Sequence, residues 1–380
     1  MSATDLRPPA SPALTTAPAP LLLGWDAVEL WVGNARAFAG FLSSAFDFRI
    51  TAYAGPETGW EDRASYVLEQ GDIRFVVTAA LTPDSPIAAH VRLHGDGVHD
   101  LAFAVPDAGA AFDAAVARGA RPLSEPHVVN DDHGGLRLAR IAAYGDTGHT
   151  FVDRSGYGGA YRPGYATEGL PLPAVAARPV ALGAIDHVVA NVEEGSLERW
   201  VDFYRAVLGF ERLRHFDDSQ ISTEYSALMS TVVWNGAKIV LPINEPAAGR
   251  RKSQIQEYLE TYRGAGVQHI ALATSDIVGA VSSLRQRGLR FLEAPAAYYE
   301  DVRQRLGHLD LPWEDLRRLG ILVDEEPDGW LLQIFTETLS DRPTLFVEII
   351  QRGGAKGFGA GNFKALFEAI EREQARRGHL

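Results

Sequence analysis

Three polar residues stand where the surrounding sequence is apolar. His187 lies inside Ile185-Asp186-His187-Val188-Val189, His269 inside Val267-Gln268-His269-Ile270-Ala271, and Glu348 inside Leu345-Phe346-Val347-Glu348-Ile349-Ile350. Each run reads as a core-facing strand. A carboxylate carried into such a strand gives up its hydration and must be paired or ligating. Two imidazoles and one carboxylate on one side of a metal, with the other positions open, form the donor set of non-haem Fe(II) oxygenases. The gaps of 82 and 79 residues make no short motif. Taken singly, each residue also fits a plainer reading, a hydrogen-bonded core histidine or an inward glutamate paired with an arginine.

Other chemistries are thinly supplied. The remaining histidines (His90, His94, His99, His127, His133, His149, His215, His308 and His379) fall in loops, polar stretches or the terminus and read as surface. There is no cysteine, so neither a disulfide framework nor a thiolate site is available, and a metal must use His, Asp, Glu and water. That favours iron or manganese over structural zinc. No GxSxG occurs. Gly357-Phe358-Gly359-Ala360-Gly361 resembles a phosphate loop, but its sixth position is Asn362 and the chain ends after one more helix, which argues against a nucleotide site.

The elements that must bring the three groups together are duplicated. Gly95-Asp96-Gly97-Val98 reappears as Gly264-Ala265-Gly266-Val267, 169 positions on, and the same offset carries Asp107 onto Asp276, Arg118-Gly119 onto Arg287-Gly288 and Pro126 onto Pro295. Asp26 pairs with Asp186, and Phe151-Val152-Asp153 with Phe346-Val347-Glu348, so the second copy carries insertions, the largest between Tyr299 and Gly329. At the places of His187, His269 and Glu348 the first copy has Ala27, Asp100 and Asp153. One copy therefore has the full donor set and the other lacks both imidazoles.

Each copy reads strand, helix, then several strands. In the second copy Leu197, Trp200, Val201, Tyr204 and Leu208 recur at helical spacing until Gly209, and Ser275 or Asp276 caps the next helix. The fold class is α+β, with two partly open barrels of duplicated modules. The chain divides into a Pro/Ala-rich flexible tail at 1–21, an N-terminal barrel domain without a metal site at 22–168, a linker at 169–180 and a catalytic barrel domain at 181–380. The last element is a helix at 362–378 with the stripe Phe363, Leu366, Phe367 and Ile370. Five glycines from Gly353 to Gly361 precede it, which predicts a mobile attachment and a lid. Side chains two apart on a strand share a face, so Phe346 accompanies Glu348, Phe335 accompanies Gln333, and Pro242 accompanies Asn244. Phenyl rings with a few amides suit a flat aromatic substrate with one polar end.

Composition agrees with an enzyme of small molecules. The 380 residues are 46% hydrophobic and 22% charged, as in globular proteins. A net charge of −13 repels nucleic-acid phosphates and anionic lipid surfaces. No apolar run reaches 18 residues and the N-terminus lacks a secretion signal's apolar core, so a cytoplasmic protein is expected. A homo-oligomer is also expected, with the metal-free first copy as an assembly surface.

Several words of the second copy resemble the 4-hydroxyphenylpyruvate dioxygenases of the vicinal-oxygen-chelate superfamily: Ile185 to Val188, Thr223 to Ser230, Leu241 to Pro246, Lys252 to Gln256, Gly264 to Ile270, Leu332 to Phe335 and Gly357 to Phe363. The likeness runs from about Leu22 to the end, weaker in the first copy. It implies βαβββ modules and Fe(II) held by His187, His269 and Glu348. It implies that Ser230, Asn244, Gln254 and Gln333 are polar groups of the substrate pocket, and that Phe335, Phe358 and Phe363 line or close it. Gln268 also matches a site residue of the family, although strict alternation turns it away from His269. Pro242 and Phe346 complete the expected substrate wall. The last helix matches a gating helix. The implied reaction takes 4-hydroxyphenylpyruvate and dioxygen to homogentisate and carbon dioxide, with the 2-oxo acid of the substrate itself as the chelating group and no separate 2-oxoglutarate.

Three rivals remain open on sequence. A hydroxymandelate synthase resembles this fold and uses the same substrate and iron, but its segment corresponding to Pro242-Ile243-Asn244 lacks both Pro and Asn. An extradiol ring-cleaving dioxygenase shares the donor set without the glutamine-rich motifs or the terminal helix. A related fold that binds small molecules without catalysis is told apart by ferrous titration and oxygen uptake.

Overall fold

A computed structural model describes residues 18–169, 180–216, 227–247, 252–362 and 369–372. The N-terminal half supplies β1 (Gly24–Trp31), β2 (Arg49–Ala54), β3 (Arg63–Gln70), β4 (Ile73–Ala80), β5 (Gly97–Ala104), β6 (Pro122–Asp131), β7 (Gly134–Ala142) and β8 (Gly148–Asp153). The C-terminal half supplies β9 (Leu182–Asn191), β10 (Glu211–Phe216), β11 (Ala227–Trp234), β12 (Val240–Ala247), β13 (Gly266–Thr274), β14 (Leu322–Glu326), β15 (Gly329–Phe335) and β16 (Phe346–Gly353). Each set forms one curled sheet, and the strand orders are the same: β2-β3-β4-β1-β5-β8-β7-β6 and β10-β11-β12-β9-β13-β16-β15-β14. The duplication read as a fixed offset is thus a duplication of topology.

Helices repeat in step. α1 (Ala35–Phe46), α2 (Pro86–His94) and α3 (Ala108–Ala117) correspond to α4 (Leu197–Leu208), α5 (Gln254–Tyr262) and α6 (Ile277–Gln286). The insertion adds α7 (Ala296–Leu306) and α8 (Trp313–Leu319). The apolar stripe of α4 is buried, and the helix stops at Gly209, whose φ of 74° is the left-handed conformation glycine takes at least steric expense. Asp276 caps α6 by accepting from the Gly279 N–H. Helix stripes and outer sheet faces merge into one core cluster that crosses both halves.

The inner sheet faces differ between the halves. In the first, Ala27, Val67, Val76, Leu136, Val152 and Tyr161 fill the concavity, and Arg154 grips Asp26 beside them. In the second, the concavity holds the polar triad described below.

Two expectations need correction. Of the histidines read as surface, His90, His94, His99 and His149 are buried. His99 packs within its own half, on Trp31 and Arg140, whereas His90, His94 and His149 face the seam between the halves, where the His94 Nδ1 bonds the Tyr262 carbonyl at 2.5 Å and the His149 Nε2 lies 2.9 Å from the Tyr204 hydroxyl. A neighbour supplied by the other half leaves no local trace in composition. His127, His133 and His308 are exposed as read.

The glycine-rich segment, expected to be mobile, is packed. Asn362 is fully buried, and the Tyr298 hydroxyl lies 2.6 Å from its Oδ1, while the Gly361 N–H donates to Asp324 at 2.9 Å. A side chain at Gly357, Gly359 or Gly361 would run into Glu326, Gln333 or Asp324 respectively. These glycines let a strap lie close on the β14–β15 hairpin. Of the expected helix at 362–378, residues 369–372 are described and helical. Phe363, Leu366 and Phe367 lie outside the described residues, and Ile370 packs on Leu322, Phe335 and Phe346.

Candidate metal centre

Strand register explains how three distant residues meet. His187 on β9 is paired across the sheet with Ala271 on β13, Ala271 with Glu348 on β16, and Glu348 with Phe335 on β15. Paired residues in register share a face, so His187, Ala271, Glu348 and Phe335 form one row. His269 is two residues from Ala271 and joins the same face. With only a methyl at Ala271, space remains between the polar groups. The Glu348 Oε2 lies 3.3 Å from the His187 Nε2 and 3.4 Å from the His269 Nε2, and all three residues are at most 8% exposed.

Both imidazoles are oriented from behind, each by its preceding residue. The register of β13 against β9 slips at Gln268 and again opposite Asp186, so each histidine follows a bulged position. The Asp186 Oδ1 lies 2.7 Å from the His187 Nδ1, and the Gln268 Oε1 lies 3.1 Å from the His269 Nδ1. With Nδ1–H donating outward in each case, the Nε2 lone pairs face a common point. Strict alternation turned Gln268 away from His269; the bulge turns it back. Asp186 is in turn held by the Arg352 guanidinium through two bonds of 2.7 Å. Sequence reasoning missed this pair, whose members are 166 positions apart; the Asp before the ligand histidine was the available signal.

The electrostatics follow from this arrangement. Burial opposes charge on Asp186, but its bonds to Arg352 and His187 hold it well below the usual carboxylate range. Burial also works against a charged His187, yet Glu348 and Asp186 overcome it and lift the ring to about 9. His269 is pushed down by burial. Glu348, despite burial, is held low by the His187 charge and by bonds from both rings.

The donor set fits a metal ion. Two ligand atoms about 2.1 Å from one ion at right angles lie roughly 3 Å apart, close to the observed 3.3 and 3.4 Å. Nitrogen and carboxylate donors without thiolate suit iron or manganese, and the oriented Nδ1–H groups are the usual outer support of ligand histidines.

Aromatic and amide groups surround the triad. Phe346 stacks on the His269 ring with centroids 4.8 Å apart, Phe335 meets it edge-on at 6.0 Å, and Phe358 meets His187 edge-on at 5.2 Å. Gln333 is buried on β15, two residues before Phe335. Gln254 opens α5 behind its cap Ser253 and lines, with Gln268, Phe346 and Ile370, a cavity of about 590 Å³. Ser230 and Asn244 are paired across β11 and β12 with Pro242 two positions away, all three buried.

Known proteins sharpen the picture. Residues 184–334 match the Glyoxalase/Bleomycin resistance protein/Dioxygenase superfamily, and residues 59–162 match the N-terminal part of hydroxyphenylpyruvate dioxygenase. A 4-hydroxyphenylpyruvate dioxygenase of Dictyostelium discoideum is 49% identical over 94% of this chain and all of its own length. The chain belongs to the 4-hydroxyphenylpyruvate dioxygenase family. Another 4-hydroxyphenylpyruvate dioxygenase, from Aspergillus fumigatus, is 46% identical over 94% of both chains. Among solved structures, a triple mutant of 4-hydroxymandelate synthase from Streptomyces coelicolor superposes with a TM-score of 0.83 at 38% identity, covering 93% of this chain and 99% of its own. Membership in the 4-hydroxyphenylpyruvate dioxygenase family makes the chain an enzyme, and the triad gives it the donor set of a metal-dependent dioxygenase.

Proposed function

We propose that this enzyme converts 4-hydroxyphenylpyruvate and dioxygen to homogentisate and carbon dioxide, with His187, His269 and Glu348 as the ligands of Fe(II). The observation that carries the reading is the convergence of those three buried groups, in one copy of the duplication, within a chain of this family. Bound there, Fe(II) would supply two-point capture of the substrate's 2-oxo acid and activation of dioxygen.

The protein's part is positioning. Asp186 and Arg352 fix the His187 ring, and Gln268 fixes His269. Phe335 and Phe346 flank His269 and hold the substrate ring flat beside the triad. The Gln333 Oε1 is buried without a hydrogen-bond partner, so it can accept from the substrate phenol. Gln254, Asn244 and Ser230 complete the polar end, and Pro242 and Phe358 add apolar wall. Ile370 of the last helix, packed on Phe335 and Phe346, closes that side of the pocket and keeps water from the reaction. Substrate and dioxygen are the partners of this reading.

A second reading, hydroxymandelate formation, is favoured by the structural likeness to that synthase. Pro242 and Asn244 argue against it. Chromatography of the product from 4-hydroxyphenylpyruvate decides between them. Homogentisate equal to the oxygen consumed is expected, and a hydroxymandelate peak in its place would overturn the assignment.

A further inference from the structure

We propose that the metal-free half takes part in the reaction by fixing where α5 presents Gln254, with His94 as the positioning residue. The inference rests on the reading of Gln254 as a substrate contact. α5 runs from Gln254 to Tyr262, about 13 Å of stiff rod, so a displacement at its C-terminal end is carried to Gln254 at the other.

The last carbonyls of a helix find no partner within it. For α5, the other half supplies one. The His94 Nδ1–H, from the last turn of α2, donates to the Tyr262 carbonyl at 2.5 Å, and both residues are buried. The imidazole is itself held from behind, its Nε2 lying 3.5 Å from the Asp146 Oδ2, which also lies 2.6 Å from the His90 Nδ1. Stacked rings continue the contact along α5: Tyr262 lies on His94 with centroids 4.4 Å apart and on Tyr258 at 5.1 Å. The Tyr258 hydroxyl then donates to the carbonyl of Val267, the neighbour of Gln268, at 3.0 Å.

Two glycines make room for this stack. Gly97 and Gly266 are equivalent by the 169-residue offset, and they face the same ring from the two halves. A Cβ at Gly97 would come 2.8 Å from the Tyr262 hydroxyl and Cε2, and one at Gly266 would come 2.5 Å from its Cε1. The end of α2 is capped in return: Arg342, between Asp341 and Pro343 of the cavity wall, donates to the Leu93 carbonyl at 2.9 Å. α5 is sensitive to its end contact because its apolar face lies outside the core cluster that crosses both halves. Ile255, Tyr258, Leu259 and Tyr262 form a separate small cluster with Leu228, Val232 and Phe358.

The test is a double-mutant cycle on kcat/KM for 4-hydroxyphenylpyruvate at saturating iron. His94→Gln moves the donor to the place of Nε2, keeping Asp146 and losing the Tyr262 carbonyl, whereas His94→Asn keeps a donor at the place of Nδ1. His94→Gln should lower kcat/KM by up to about 100-fold, His94→Asn should recover most of the loss, and neither should change ferrous affinity. In a Gln254→Ala background His94→Gln should cost no more than about 2-fold, because two residues acting through one contact do not add. Parental kcat/KM in His94→Gln, or losses that multiply across the two sites, would make His94 a plain brace and overturn the inference while leaving the role of Gln254 standing. Parental kcat/KM in Gln254→Ala would overturn both. Should His94→Gln fail to fold, Gly97→Ala, whose Cβ displaces the Tyr262 ring, is carried through the same cycle with the same expected and contrary results.

Discussion

At the scale of single residues, the triad was legible because apolar strands do not carry polar groups idly. His187, His269 and Glu348 stood out against their neighbours, and Ala27, Asp100 and Asp153 marked the copy that lacks the set. The groups behind them were not legible, since Arg352 reaches Asp186 only through the curvature of the sheet and Gln268 reaches His269 only through a bulge. Hydrophobic patterning records which face a residue takes in a regular strand; a bulge breaks that rule without changing the pattern. The Asp186–His187 bond is expected to tune metal affinity. Asp186→Asn should weaken ferrous binding by about 10- to 100-fold, with turnover largely recovered at saturating iron. A ferrous titration read by oxygen uptake checks this, and an unchanged affinity would count against the support role.

Among elements, the glycine-rich strap was the hardest to read. Glycines at 353–361 signalled freedom in the sequence, whereas Gly359 (φ +69°) is there because a Cβ would come 2.6 Å from the Gln333 Oε1. The same residue type serves flexibility and close approach, and composition alone does not separate them. Gly359→Ala should therefore act on the site through Gln333. The left-handed conformation adds about 1–2 kcal/mol of strain, and the displaced amide should lower kcat/KM on the order of 10²-fold with the far-ultraviolet circular dichroism spectrum unchanged. Retention of full activity would show that the strap does not set Gln333. The α4 stripe and the Asp276 cap, by contrast, were readable because both are local signals.

Across the whole molecule, the duplication was readable as an offset and reappears as two sheets of one topology. The seam between them was not, because burial there depends on a partner surface formed only on folding. His149 shows the consequence. Burial, helped by the Arg140 charge and opposed by its bond to the Leu101 carbonyl, brings it down to about 4, while in the unfolded chain it titrates near ~6.5. Below that pH the unfolded chain takes up a proton that the folded molecule refuses. His149 therefore costs no stability above pH ~6.5 and removes it progressively as pH falls from there to about 4, by up to about 1.4 kcal/mol per pH unit. His149→Gln should flatten the dependence of urea-unfolding stability on pH between 6 and 4 by up to that amount. An unchanged slope would show that the ring is protonated inside the fold.

The proposed reaction depends on one ion held by two imidazoles and a carboxylate in the C-terminal half. Anomalous diffraction at the iron edge, from crystals grown anaerobically with ferrous iron, locates that ion directly. The expected result is a strong peak within bonding distance of the His187 Nε2, the His269 Nε2 and a Glu348 carboxylate oxygen. No iron peak there, with iron found elsewhere or not at all, would contradict it.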